Sequence, residues 1–329
     1  MKLSISRRRF LATQSALVAS AACFPAFAQA KVPLVYCESA SNKDIRAIVM
    51  LDKFGPAIAS AFDLQPYFNS SLFKQGTELV AMQRGNLDMS ALSVPDFQSQ
   101  VPAWGIAGNA YMFRDMDHMF RVFGSDVGKQ LFKMAEDIGI KVLSVHYIGT
   151  RHVSLRVKKK IHTPADMAGI KLRMPPGEGW QFLGECVGGN PTSIPFGEVY
   201  LALQTGTIDA QDNPMQLTRT MKFYEVLSQY VLTGHLINYN LFSIAKKKWD
   251  SLTPAQQVLL QKAATDYSAA VTARFVAEEA ETASFFKSQG LDVYTPDRDA
   301  FRKFALEKTR NSRYMKDWAP GMLEKIEAL

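Results

Sequence analysis

The sequence predicts an α/β protein of two lobes with a ligand cleft between them. Three observations carry that expectation. Strand-like and helix-like segments alternate along the 329 residues, the rhythm of a parallel or mixed sheet covered by helices. A second set of elements begins near Arg151, and a strand-like segment at residues 239–245 returns to the first set. A helical pattern over residues 253–290 covers about 35 residues, roughly 50 Å at 1.5 Å per residue, which exceeds one small domain and reads as a brace across both lobes.

The first set opens with a short apolar strand at residues 32–36. Asn42 can cap a helix running towards Phe62, with Ile45, Ile48, Val49 and Phe54 at helical spacing. A strand at 64–68, a helix at 78–85 and an alternating strand at 87–94 follow. A longer helix over 117–138 leads into a strand at 141–147.

In the second set, residues 153–157 and 170–174 read as strands. Thr163 caps a short helix with Pro164 in its first turn. Helices cover 177–187 and 196–204, the latter stopped by Gly206. A short strand at 208–210 follows. Thr253-Pro254-Ala255-Gln256 is a capping box that starts the long helix. A strand at 291–294 and a polar helical tail close the chain. Residues 31–150 with about 239–278 make lobe I, and 151–238 with about 279–329 make lobe II. Repeated crossings leave a hinged cleft, the usual place for a ligand.

Residues 1–30 read as an export signal. Arg7-Arg8-Arg9-Phe10-Leu11 is a twin-arginine pattern, an apolar run to Phe24 follows, and Ala28 or Ala30 suits cleavage. Cys23 could suggest a lipoprotein signal, but Ser20 stands where a larger aliphatic residue is wanted. Export of this kind implies a periplasmic destination. The leader carries four basic residues (Lys2, Arg7, Arg8 and Arg9) and no acids, so its removal lowers the formal charge from +7 to about +3. That balance gives no case for nucleic acid. Cys37 and Cys186 have no metal-type spacing; an oxidising compartment allows them one disulfide, and two buried free thiols are the favoured alternative.

The usual catalytic signatures are absent. His118, His146, His152, His162 and His235 form no paired-ligand spacing, and there is no nucleophile elbow, phosphate loop or dinucleotide fingerprint. Gly184 to Asn190 is glycine-rich but follows a helix, so it reads as a turn. No cofactor or metal is expected.

What remains is Arg173, in a short strand-like segment followed at once by prolines. A guanidinium at a strand end is a planar, charged fork suited to a carboxylate. Forty positions on, Asn213 lies in Asp-Asn-Pro, and Phe196 opens a helix between them. Each has a structural alternative: Arg173 in an internal ion pair, Asn213 as a turn residue, Phe196 in the core.

Several blocks resemble the solute-binding proteins of tripartite ATP-independent periplasmic (TRAP) transporters, the DctP-type, C4-dicarboxylate-binding-like family. They are Lys171-Leu172-Arg173, Asn190-Pro191-Thr192, residues 195–206 (PFGEVYLALQTG), residues 208–214 (IDAQDNP) and Lys222-Phe223-Tyr224-Glu225-Val226. Gly149-Thr150-Arg151, Met112-Phe113-Arg114-Asp115 and Asp117-His118 also match. The similarity covers most of the mature chain.

The resemblance implies a type II-like periplasmic binding fold that closes on one organic acid. It implies that Arg173 forks onto the ligand carboxylate, that Asn213 bonds the same group and that Phe196 packs against the ligand. Arg151 would reach the ligand or brace the closed state, with a surface or structural ion pair as its alternative, and Ser93 would line the cleft from lobe I. Residues 176–180 are atypical, so Trp180 or Glu178 could alter the ligand class, with core packing the alternative for Trp180. The implied partners are a small organic carboxylate and the membrane subunits of a TRAP carrier. A monomer without enzymatic activity is the simplest expectation, and a periplasmic enzyme or sensor on a small acid is the alternative.

Overall fold

The computed structural model describes residues 30–329. The proposed leader, with Cys23, lies outside the described residues except for Ala30.

The strands are β1 (Val32–Cys37), β2 (Phe62–Tyr67), β3 (Met89–Leu92), β4 (Ile140–Leu155), β5 (Lys171–Met174), β6 (Asn190–Ser193), β7 (Ala210–Asn213), β8 (Gln229–Ala245) and β9 (Asp292–Tyr294). They form one mixed sheet in the order β2-β1-β3-β8-β4-β7-β5-β6, with β9 on β8 off that path. The long antiparallel partners β4 and β8 run through both halves of it. At one end β3 pairs residues 241–244 of β8. At the other, β7 pairs residues 152–155 of β4, and β9 pairs residues 229–231 of β8.

Between those ends the β4–β8 ladder slips register three times, at Val142/Ser144, Tyr147/Thr150 and Arg151/Val153. Such bulges bend a strand and raise its twist. Gly149, at φ +99°, occupies the middle one. A Cβ there would come within 2.7 Å of the Pro214 side chain, so the crossing admits only glycine without rearrangement.

The largest apolar cluster fills the first half and runs into residues 196–223 of the second, and a separate cluster lies around β5. In the first, Phe54, Phe242 and Tyr267 pack ring against ring, with centroids 4.6–5.8 Å apart. In the second, Leu172, Met174, Leu183, Cys186 and Val187 close over the β5 region. The helix Pro254–Ser288, 35 residues long, spans both. Gln261 donates to Leu143 O and Ser144 donates to Ala264 O in the first half. Further along, Phe275 O accepts from Gln216, while Phe285 and Phe286 pack on Tyr224 and Tyr230 of the second. Thr253 and Gln256 make the reciprocal cap expected at its start.

Several sequence expectations are corrected. Asp44, not Asn42, caps the first helix, because its carboxylate reaches Arg46 N at 2.9 Å. That helix passes through a π-helical turn at Met50–Phe54. The helix expected over 117–138 is two, Met116–Gly124 and Asp126–Asp137, because Ser125 is extended and caps the second. The strands expected at 141–147 and 153–157 are one strand, since the bulge at Gly149 bends β4 without ending it. β8 begins ten residues before the expected 239. β7 runs to Asn213, beyond the expected 208–210, and β6 was not foreseen: both are four-residue strands completed by pairing with β5, not by their own pattern.

Candidate functional site

A cavity opens between the halves of the sheet. Arg173, Asn213, Phe196, Arg151, Ser93 and Trp180 all line it.

Arg173 sits on β5 between Thr192 of β6 and Gln211 of β7. It is 0% exposed. Its Nε donates to Ile194 O at 2.8 Å and its Nη2 lies 3.4 Å from Gln75 Oε1. Its Nη1 is buried without a partner among the described residues. Burial pulls the guanidinium down to about 9, Asp212 opposes that shift and Arg151 adds to it. Arg173 is therefore still cationic at neutral pH, with no carboxylate hydrogen-bonded to it among the described residues.

Asn213 ends β7 opposite His152 of β4. Its Nδ2 donates to Gln211 Oε1 at 2.5 Å, and Gln211 is held in turn by Ser154 Oγ at 2.6 Å. An amide nitrogen has two hydrogens, so Asn213 keeps a donor for the cavity. Phe196 packs edge-on against Phe223 at 5.8 Å, and the Arg173 guanidinium lies 5.8 Å from its ring.

Arg151 is committed elsewhere. Its Nε and Nη2 grip the two carboxylate oxygens of Asp212 at 2.6 and 2.7 Å, and Nη2 also reaches Asp212 O at 2.7 Å. His235 Nε2 lies 3.2 Å from the same carboxylate. Burial works to raise the Asp212 pKa, but Arg151 outweighs it and holds the carboxyl well below its usual range. The Arg151 guanidinium stacks 4.6 Å over the Trp180 ring, so Trp180 both lines the cavity and flanks this pair. Ser93 caps a short helix: its N and Oγ both donate to Asp96 Oδ2 at 2.7 Å. Glu178 is exposed, pairs with Arg313 and does not line the cavity.

Sequence reasoning missed the wall supplied by the first half of the sheet, formed by Arg46, Gln75, Glu78, Asp96, Asn238 and Asn240. Arg46 is tied to Asp44 at 2.9 Å, to Glu38 at 2.5 Å and to Asn240 at 3.1 Å. Burial opposes its charge, yet Asp44 and Glu38 together hold its pKa above the ordinary range. Burial, and then the neighbouring Asp96, push the Glu78 carboxyl up to about 8. Burial also raises Asp96. Nothing in the sequence marks these residues, because they come from separate turns and strands.

Other matched motif residues are structural. Asp115 caps the helix Met116–Gly124, and His118 Nε2 lies 2.8 Å from Ile326 O, which pins the final helix. Among the described residues no group of three or more His, Cys, Asp or Glu is placed to hold a metal. No described helix is long and apolar enough to cross a membrane.

Residues 50–314 match the model of the bacterial extracellular solute-binding proteins, family 7. The chain is 32% identical to the sialic acid-binding periplasmic protein SiaP of Vibrio cholerae, over 72% of this chain and 74% of that one. It is 30% identical to the 2,3-diketo-L-gulonate-binding periplasmic protein YiaO of Escherichia coli, over 78% of each. A crystal structure of a TRAP periplasmic solute binding protein from Roseobacter denitrificans holds 3-deoxy-D-manno-oct-2-ulosonic acid. It superposes with a TM-score of 0.89 at 41% identity, covering 91% of this chain and 99% of that one.

Proposed function

The chain belongs to family 7 of the bacterial extracellular solute-binding proteins, and on that premise we propose that it captures one polyhydroxylated sugar acid and delivers it to a TRAP-type membrane carrier. The carrying observation is Arg173: fully buried, cationic and with Nη1 unpartnered beside the cavity. A buried guanidinium without a counter-charge is costly, and a guest carboxylate removes that cost. Two or three charge-assisted bonds, about 1.5–3 kcal/mol each, bring micromolar affinity within reach.

The remaining wall supports a sugar acid over a dicarboxylate. Glu78 and Asp96 present carboxyl groups, and Asn238 and Asn240 present amides. Arg46, the further cation there, is already neutralised by Asp44 and Glu38. Such a surface offers both donors and acceptors to hydroxyls and supplies no free cation for a second carboxylate. The ligands named for the Vibrio, Escherichia and Roseobacter proteins all carry an oxidised carbon chain with one carboxylate and several hydroxyls, and all three are 2-keto acids in their open-chain form. The 2-keto sugar acids are accordingly the first class proposed here.

The protein works as a monomer in the periplasm after twin-arginine export, and it binds its acid without turning it over. Calorimetry and thermal shift with 3-deoxy-D-manno-oct-2-ulosonate, sialate, galactonate, glucuronate, succinate and malate test this reading. A sugar acid should bind at micromolar concentration or tighter and be recovered unchanged by mass spectrometry. Binding of succinate or malate in preference to every sugar acid would overturn it.

A further inference from the structure

Gln75 belongs to the loop after β2, at the outer edge of the first half of the sheet, yet it bonds the second half. Its Oε1 accepts from Phe196 N at 2.9 Å and lies 3.4 Å from Arg173 Nη2. Both neighbours are donors, so they define which end of the carboxamide faces them. The oxygen is turned to Phe196 and Arg173. The nitrogen, a donor only, makes no hydrogen bond among the described residues, and Gln75 lines the cavity.

The loop is built to hold this side chain. Thr77 N and Thr77 Oγ1 both bond Lys74 O, at 3.0 and 2.7 Å. Gly76 N donates to Glu78 Oε2 at 2.7 Å. Gly76 has φ +87°, and Pro176 of the second half lies 3.6 Å from where a Cβ would stand, so the turn faces the opposite half beside the glutamine. Lys74 to Glu78 is thus a hydrogen-bonded turn that faces the cleft.

We propose that Gln75 is a specificity-determining residue of the carboxylate site: its Nε2 donates to the bound acid beside Arg173 while its Oε1 bonds Phe196 N across the cleft. The inference rests on the sugar-acid reading above and adds to it the residue that couples ligand to closure. The bond from Phe196 N to Gln75 exists only when the halves meet. A ligand that bonds Arg173 and Gln75 at once binds the shut form better than the open one, and that difference alone is what drives closure. A neutral amide at this position also matters for selectivity. A carboxylate there would itself satisfy Arg173 and exclude the guest.

The test compares Gln75→Met and Gln75→Glu with the wild type, using 3-deoxy-D-manno-oct-2-ulosonate in calorimetry and, without ligand, melting temperature and small-angle X-ray scattering. Gln75→Met removes the donor at similar volume and should weaken binding about tenfold. Gln75→Glu should weaken it ~100-fold or more, since the guest carboxylate loses its place on Arg173. The same variant should melt higher than the wild type and be more compact without ligand, because the internal pair closes the cleft. Wild-type affinity in both variants, or a ligand-free Gln75→Glu that neither melts higher nor compacts, overturns the inference. A wild type that binds no sugar acid defeats the functional reading instead, and the ligand-free behaviour of Gln75→Glu still decides the role of Gln75.

Discussion

Arg151 and Asp212 form a bidentate pair at 2.6 and 2.7 Å in a region where neither is more than 3% exposed. They join β4 to β7 immediately beside the bulged crossing. The second arginine of the cavity is therefore matched by the protein's own acid, whereas Arg173, two strands away in the sheet order, is not. The two guanidiniums are sorted into a structural cation and a free one.

Asp212→Ala should consequently be among the most damaging single changes in the molecule. It leaves Arg151 buried beside Arg173 without its partner, which costs about 3–5 kcal/mol. Urea denaturation monitored by circular dichroism measures this. A midpoint equal to that of the wild type would show that the pair contributes nothing.

Arg173→Ala should do the opposite to the empty protein. Removing an uncompensated buried cation leaves stability unchanged or higher, while acid binding falls ~100-fold or more, the loss of two charge-assisted bonds. Melting temperature and calorimetry on one preparation separate the two effects. Retained affinity in this variant would remove Arg173 from the site.

Acid should destabilise the protein through its buried histidines. Burial, with Arg46, lowers His146 to about 3, and burial, with His235 and Arg298, lowers His152 to about 3. The unfolded chain protonates both near 6.5. Between pH 6.5 and 3 the unfolded state therefore binds more protons, so stability rises with pH through that window and levels off above it. Glu78, raised to about 8, gives a weaker slope of opposite sign between about 4.5 and 8. Melting temperature against pH should fall steeply below 6.5 and less so in His146→Leu; parallel curves for the two proteins would contradict this.

Both thiols should resist modification in the native state. Cys37 and Cys186 are unpaired and buried, and burial raises Cys37 and pushes Cys186 up to about 12. Thiolate is the reactive form. A disulfide reagent should titrate neither thiol in buffer and both in denaturant, with reductant having no effect on the melt. Rapid native labelling would show that one of them opens to solvent.

Much of the fold was legible because its signals are local. Thr253 with Gln256, Thr163 with Asp166 and Gly206 at φ +77° each do in space what their sequence context implies. The long helix announced itself by its capped start and the glycine at its end. The misread segments lacked a local signal. A break between Gly124 and Ser125 looks helical in pattern, and β6 and β7 are held by their neighbours more than by their own residues.

By itself the sequence determined the class of the protein and the three residues Arg173, Phe196 and Asn213 that the structure brings to one cavity. Only the tertiary structure decided which arginine is free. Arg151 and Arg173 are equivalent as letters, and they differ because Asp212, sixty-one residues from one and a strand away from the other, lies within reach of Arg151. The cavity wall of Glu78, Asp96, Asn238 and Asn240 was equally invisible. It is assembled by long-range pairing of β3 with β8, and hydrogen bonds between segments so distant in the chain leave no periodicity to read.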